Sequence, residues 1–596
     1  MSNNKKYLFL LTIGPVQAFI AQARKTVDLY AGSKILTELT KTGIAYIGRK
    51  KIVFPYAKYE TEKDWEEVNS LPNRFVAQLS GTESEINQLG KDTEDAIRAK
   101  FKSISEKVLK NAGIPTFPAF EQQIEQHLDI YWAAIELEND YKETYAKLEQ
   151  VIGSLKNMRQ FQQYTYEGIG EKGRKCSIDG GRNAIIYREN PEKKRPFALS
   201  SQAKPTNYKL DEGEALSAVS YTKRAYKAES FPSTASIALM HVHHILKNDG
   251  LAKICYKLLS ETNDQLFYKE NIERKPYLEK TIRESNGNSS LTPNSILNCH
   301  ENYWKVAEKQ GFKSSDKHKY YAVLTFDGDS MGKWLGGANV NGSLEAFHED
   351  FSKHLSAFAK KADEIVKKEV KGYTVYAGGD DYLGFANINH LFGVLQELQE
   401  AYKTEVSNPL ATYRKDGKEI TFSAGICIAH YKEPLRLVLQ QAHTMMDKAK
   451  NIDDDKNCFG ISVIKGSGEN LETVWKNEHI GLLKEITEGL MDKENKELPY
   501  FSDKYIKVLE TEFQKLVNEK NQLDKRELLV TEIKRTLTRA VNKGSKGEKQ
   551  NAVKTMSETL DKLHNANLSD LPNFFSALNF CRFMQRELCP KTFFNL

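Results

Sequence analysis

Tyr320-Tyr-Ala-Val-Leu-Thr-Phe-Asp-Gly-Asp329 and Tyr373-Thr-Val-Tyr-Ala-Gly-Gly-Asp-Asp-Tyr382 are the stretches whose reading decides the fold. The first is a near-continuous apolar and β-branched run that ends in carboxylates, which reads as a buried strand. Helical spacing from Leu344 to Val370 follows. The second stretch then gives a strand at Tyr373–Ala377, a tight hairpin at Gly378-Gly379-Asp380-Asp381 and a return strand at Tyr382–Ala386. A helix is expected from about Leu391 to Val406, a strand at Ile420–Ala429, a helix at Leu435–Ala449 and a strand at Phe459–Ile464. The order is βαββαβ with an added αβ, a ferredoxin-like or palm unit. In such a unit the first and third strands are neighbours, so Asp327 and Asp329 should meet Asp380 and Asp381 at one edge of the sheet.

Four carboxylates so close would repel one another unless cations stood among them. Hard oxygen ligands with room for phosphate oxygens describe two Mg²⁺ or Mn²⁺ ions. Asp327, Asp380 and Asp381 are the candidate catalytic residues, and Asp327, Asp329, Asp380 and Asp381 the candidate metal ligands. Asp327 and Asp380 are set nearest the metal, with Asp329 left between direct ligand and support. Gly378, Gly379 and Gly328 let a nucleotide approach the backbone, and the amides of Ser330, Met331 and Gly332 are placed to cradle a triphosphate. Lys448 and Lys450 are candidates to neutralise phosphates; solvated lysines are the plain alternative. Either acidic turn alone is an ordinary loop, and the weight lies in their combination on neighbouring strands.

Working outward, Tyr7–Ile13 reads as a strand, about Val16–Ala45 as helical, Ile52–Tyr56 and Phe75–Ser80 as strands, and about Glu83–Ala112 as helices, a second palm-like unit. From about Ile130 to Gln163 the apolar spacing is helical, and a Gly-rich opening follows at 168–173. With 596 residues the chain exceeds one core. Four domains are expected: a first palm at 1–165, a linker at 166–315, a second palm at 316–467 and a helical bundle at 468–596. The fold class is α+β. Hydrophobic residues make up 40% and no apolar run is long enough for a span, so membrane contact is not expected. Seven scattered cysteines suit reduced thiols in a cytoplasmic protein, and a net charge of +6 permits a polyanionic partner.

The two acidic clusters resemble the palm domain shared by nucleotide cyclases, many polymerases and the large subunit of type III CRISPR complexes. Three more stretches resemble the type III-B (Cmr) form of that subunit: Gly14-Pro-Val-Gln-Ala-Phe-Ile-Ala-Gln-Ala-Arg-Lys-Thr26 with Asp28-Leu-Tyr-Ala-Gly-Ser33, Phe231-Pro-Ser-Thr-Ala235, and Phe422-Ser-Ala-Gly-Ile426 with Ala429-His-Tyr-Lys432. The resemblance implies guide CRISPR RNA, target RNA and other type III-B effector subunits as partners, with target RNA switching on the second palm. It implies ATP as substrate for a nucleotidyltransferase that releases pyrophosphate and makes a second messenger. The product is either a cyclic oligoadenylate or AMP joined to S-adenosylmethionine, the latter then being a second substrate. None of the thirteen histidines precedes an Asp, so the HD nuclease of many relatives is not expected. Where relatives hold zinc between two pairs of cysteines, this chain has Cys176, Asp179, Ser217 and Ser220, and the ribbon is expected to persist without metal. An inert RNA-binding scaffold and a free-standing cyclase using GTP remain the alternatives.

Overall fold

In the computed structural model the described residues are 4–138, 140–158, 165–166, 169–170, 173–190, 204–205, 210–226, 231–285, 291–312, 317–466, 470–491, 501–502, 504–514, 526–542, 544–568 and 571–589. Half of the Gly-rich opening of the linker and the centre of its Asn/Ser/Gly loop lie outside them.

The first domain contains β1 (Lys5–Gly14), α1 (Thr26–Ile47), β2 (Ile52–Phe54), β3 (Arg74–Gly81), α2 (Glu83–Asn111), β4 (Asp129–Glu136) and α3 (Tyr141–Asn157). Its sheet order is β2-β3-β1-β4. One expectation fails here: Asp129–Glu136, read as helical, is a strand that pairs antiparallel with β1 from Tyr7↔Glu136 to Gly14↔Asp129. The run Ile130-Tyr-Trp-Ala-Ala-Ile135 is apolar on both faces, so its spacing alone does not separate strand from helix. The long helix α2 opens with a Thr82/Glu85 capping box.

On β1, odd residues Phe9 and Leu11 join the core beneath α1 and α2. Even residues Leu8 and Leu10 join a core that includes Tyr145 of α3 and Phe347 and Phe351 of the second palm. One face of the first sheet is therefore covered partly by the other palm domain. Polar contacts line the same seam: the Tyr141 hydroxyl meets His348 Nδ1 at 3.0 Å, and Lys142 Nζ donates to the Gly337 carbonyl at 3.1 Å.

The linker domain includes α4 (Ala218–Ala225), α5 (Thr234–Leu246), α6 (Gly250–Thr262) and α7 (Pro293–Lys309). The ribbon residues do come together. Asp179 Oδ2 accepts from the Ser217 and Ser220 hydroxyls at 2.5 and 3.2 Å, and its Oδ1 accepts from the Gly181 and Arg182 amides. Cys176 is a buried free thiol. A carboxylate bridged to two hydroxyls thus ties the ribbon together. The linker is fixed to the first palm by Arg224, whose guanidinium pairs with Asp28 of α1 and with Glu214, all three fully buried. Phe231-Pro-Ser-Thr is a three-way junction. The Phe231 ring packs on Tyr30, Tyr373 and Phe385, Thr26 donates to the Pro232 carbonyl at 2.7 Å, and Ser233 caps α5.

The second palm contains β5 (Tyr320–Gly328), α8 (Leu344–Lys367), β6 (Gly372–Gly378), β7 (Asp381–Asn387), α9 (Leu391–Tyr402), β8 (Phe422–His430), α10 (Leu435–Asn451), β9 (Cys458–Ile464) and β10 (Asn470–Lys476). Sheet order is β6-β7-β5-β8-β9-β10. The first four strands repeat the topology of the first domain; β9 adds parallel to β8 and β10 antiparallel to β9. Strand β10 corrects a second expectation, because the sheet runs past the boundary set at 467. The apolar residues from 469 onward, recurring at three- and four-residue intervals amid Lys and Glu, read instead as a helical bundle. Helices α8 and α9 share a core with Ala322, Leu324 and Phe326, while α10 packs with Tyr321 and Val323 on the opposite face. Helix α10 lies so close that a Cβ at Gly425 would stand 2.0 Å from the Ala442 carbonyl oxygen, so only glycine fits there.

Beyond β10 the described elements include α11 (Ile480–Leu490), α12 (Lys504–Gln514), α13 (Arg526–Ala540), α14 (Lys546–Asn565) and α15 (Leu571–Glu587). Asn573 of α15 accepts from the Val474 amide at 2.9 Å and so covers part of the outer edge of β10. Among the described residues no helix is long and apolar enough to cross a membrane.

Candidate active site

Antiparallel pairing of β5 with β7 runs from Tyr321↔Asn387 to Asp327↔Asp381. Directly opposed residues of such a pair point to the same face. Asp327 and Asp381 therefore share the face covered by α10, at the end of the sheet where that helix finishes. Asp380 precedes Asp381 in the turn. The Gly328 amide donates to the Asp380 carbonyl at 3.0 Å, and a Cβ on Gly328 would lie 3.0 Å from Asp380 Cβ. The sequence expectation that both clusters reach one edge is met by Asp327, Asp380 and Asp381.

The turn itself follows from its residues. Gly378 and Asp381 pair, leaving Gly379 and Asp380 as the two central residues, with Gly379 at φ +73°. Positive φ at the first central position is the pattern of a type II′ turn, for which glycine is favoured. Gly378 is required for a different reason. A Cβ there would meet the Tyr376 hydroxyl at 2.7 Å, and that hydroxyl donates to the Gly378 carbonyl at 2.9 Å.

The electrostatics are those of an acidic cluster short of positive charge. Desolvation raises the Asp380 carboxyl above its ordinary value, opposed by its own amide and the Arg74 charge. Asp381 has an exposed outer edge, yet its carboxyl is pushed up to about 8, by desolvation first and the Asp380 charge second. Asp327 is ion-paired with Lys450 at the end of α10. Burial drives the Lys450 ammonium down to about 8.

Asp329 is placed otherwise. It is buried, and its carboxylate accepts from the Thr421 hydroxyl at 2.8 Å, the Ser423 hydroxyl at 2.9 Å and the Asn457 amide at 3.0 Å. Both oxygens accept, so it knits β5 to β8 and to the approach of β9. Lys448 also departs from expectation: it pairs with Glu472 of β10, which Gln441 holds at 2.7 Å. Two positions separate Lys448 from Lys450, and on a helix that turns them to different faces. Ser330 adopts φ +56° ahead of a short helix, Met331–Leu335. The Met331 side chain is buried in the core, leaving its backbone alone for any nucleotide contact, and Gly332 opens to free space.

The donor set fits hard divalent cations through Asp327, Asp380 and Asp381, carboxylates at one end of the sheet, two of them raised chiefly by desolvation. Among the described residues no three His, Cys, Asp or Glu side chains are gathered as a finished metal shell. Asp327 is held by Lys450, which a metal there would have to displace. Tyr376, Thr421, Ser423 and Arg74 escaped the sequence reading. Tyr376 alone left a local signal, an aromatic two residues before the glycine pair; the others come from distant segments.

Residues 320–460 match the family described as Cas10/Cmr2, second palm domain. Residues 8–106 match CRISPR-associated protein Cmr2, N-terminal. The CRISPR system Cmr subunit Cmr2 of Pyrococcus furiosus is 23% identical, with 77% of this chain aligned. The chain spans 62% of that relative's length. The fold is also that of two type III-B Cmr-beta structures, one in the apo state and one bound to cognate target RNA. Their TM-scores are 0.62 and 0.60 at 15% and 13% identity, covering 91% of this chain and 78% and 79% of theirs. Two family matches in chain order fall on the two palm units that the strands delimit, so both palm units of this chain are similar to those of Cas10/Cmr2 proteins.

Proposed function

We propose that the second palm is a metal-dependent nucleotidyltransferase acting on ATP. The observation that carries this reading is the register: Asp327 opposite Asp381, with Asp380 against Gly328 in a glycine turn. An acceptor hydroxyl attacks the α-phosphate, the bond to the bridging oxygen breaks, pyrophosphate leaves, and the hydroxyl proton passes to solvent. Two divalent ions, when bound, would activate that hydroxyl and take up charge on the pyrophosphate. The chain's own residues hold the ions through Asp327, Asp380 and Asp381. Gly378, Gly379 and Gly332 leave the backbone uncovered for the nucleotide, and Lys450 supplies a positive charge beside the carboxylates. The product is a second messenger, either a cyclic oligoadenylate or AMP joined to S-adenosylmethionine according to which acceptor is used.

The partners in this reading are guide CRISPR RNA, target RNA and the other type III-B subunits, with target RNA switching the site on. The two family matches and the fold shared with a Cmr-beta complex solved with cognate target RNA support it. The test is mass spectrometry of products from the assembled complex with target RNA, Mg²⁺ or Mn²⁺ and ATP, with and without S-adenosylmethionine. Oligoadenylates in both samples identify a cyclase; an adduct confined to the S-adenosylmethionine sample identifies the conjugating enzyme. No product in either returns the chain to a scaffold role.

A further inference from the structure

Strand β6, which leads into the Gly-Gly-Asp-Asp turn, is the edge strand of its sheet. Its outward amides have no neighbouring strand to meet, and an edge left bare near a functional turn would fray. The loop before β3 of the first palm closes this edge. Ser70 Oγ accepts from the Ala377 amide at 3.1 Å, one residue before the glycine pair. Pro72 packs over the turn itself, its Cγ 3.4 Å from the Cβ position of Gly379.

Two residues on, Arg74 begins β3. Its place is defined by the repeated topology. The terminal pair of β1 and β3 is Thr12↔Arg74, and the terminal pair of the corresponding strands β5 and β7 is Asp327↔Asp381. Where the second palm has an acid, the first has an arginine. Glu149 of α3 pairs with that guanidinium, which lies two residues from Pro72 on the turn, and the Arg74 charge opposes the rise of the Asp380 carboxyl.

We propose that the first palm domain clamps the catalytic turn of the second, through Ser70 and Pro72 on the backbone and Arg74 as a positioning residue for Asp380. This deepens the nucleotidyltransferase reading and rests on it for the role of the turn. The clamp also joins the site to β3 and α3, so a displacement of the first domain reaches the carboxylates without a contact to the nucleotide.

Hydrogen exchange and turnover in the assembled complex with target RNA test it together, using Ser70→Ala, Arg74→Gln and Arg74→Lys. Loss of one neutral hydrogen bond should speed exchange of peptides covering 376–381 by about five-fold in Ser70→Ala. Peptides covering 422–430 should not change. Arg74→Gln should lower kcat for ATP by about ten-fold with little change in KM, and Arg74→Lys should recover most of it. Unchanged exchange at 376–381 in Ser70→Ala together with unchanged kcat in Arg74→Gln overturns the clamp. A fall in kcat that Arg74→Lys fails to rescue, with 422–430 also exchanging faster, overturns it too, as general loss of structure. Absent turnover in the wild type removes the catalytic reading instead, and the exchange measurement then decides the clamp alone.

Discussion

The two palm domains share one topology and differ at one end of it. Both sheets run second strand, third, first, fourth, and both put a long helix after the first strand. At the terminal cross-strand pair the first domain has Thr12 and Arg74, the second Asp327 and Asp381. In the second domain Gly379 and Asp380 join the middle strands, whereas in the first a long connection carrying a short helix at Glu62–Glu66 does so. The second domain adds α10 and β9, which bring Lys450 to Asp327 and the Asn457 amide to Asp329. The same scaffold thus serves as an acidic centre in one copy and a basic brace in the other, through the residues at its strand ends.

Removing the acidic centre should give the largest effect. Asp380→Ala with Asp381→Ala should cut product formation at least about hundred-fold, the scale on which preorganised charge contributes to catalysis. Thermal unfolding with and without Mn²⁺ should show a metal-dependent rise in the wild type that the double variant lacks. Retained turnover would make the two palms equivalent braces.

Asp329→Ala should act on stability. It strips the Thr421 and Ser423 hydroxyls and the Asn457 amide of their acceptor, a cost of about 2 kcal/mol measurable by denaturant titration. A loss of turnover with unchanged stability would restore Asp329 to the metal site. Lys450 and Lys448 make a matched pair of lower effect. Lys450→Ala should raise KM for ATP by about ten-fold, the worth of one charge-assisted hydrogen bond, while Lys448→Ala leaves turnover unchanged. Equal effects would mean that both reach the phosphates.

The smallest effect concerns the seam between linker and second palm. Glu270 is held at about 2; burial opposes this, but hydrogen bonds from Lys319, Lys432 and Tyr431 outweigh it. Because its folded value lies below the ordinary 4.5, the contribution is present above pH 4.5 and lost as pH falls toward 2. Glu270 is partly exposed, so Glu270→Gln should cost only about 0.5 kcal/mol at neutral pH. The two stability curves should converge across that acid window, and a constant gap would assign the effect to packing.

The second palm was legible in the sequence because its strands are short apolar runs closed by glycine and carboxylate punctuation, each readable within ten residues. Strands β4 and β10 were not: one is apolar on both faces, the other charged, and only pairing to β1 and to β9 defines them. The same division runs through the site. Residue type and order determined that Asp327, Asp380 and Asp381 share an edge, since βαββ topology permits little else. Tertiary structure decided that Asp329 accepts from Thr421 and Ser423, that Lys448 turns to Glu472, and that Ser70 and Pro72 of another domain meet the turn. Each depends on partners brought from far along the chain, and hydrogen-bond satisfaction among such partners leaves no local pattern in sequence.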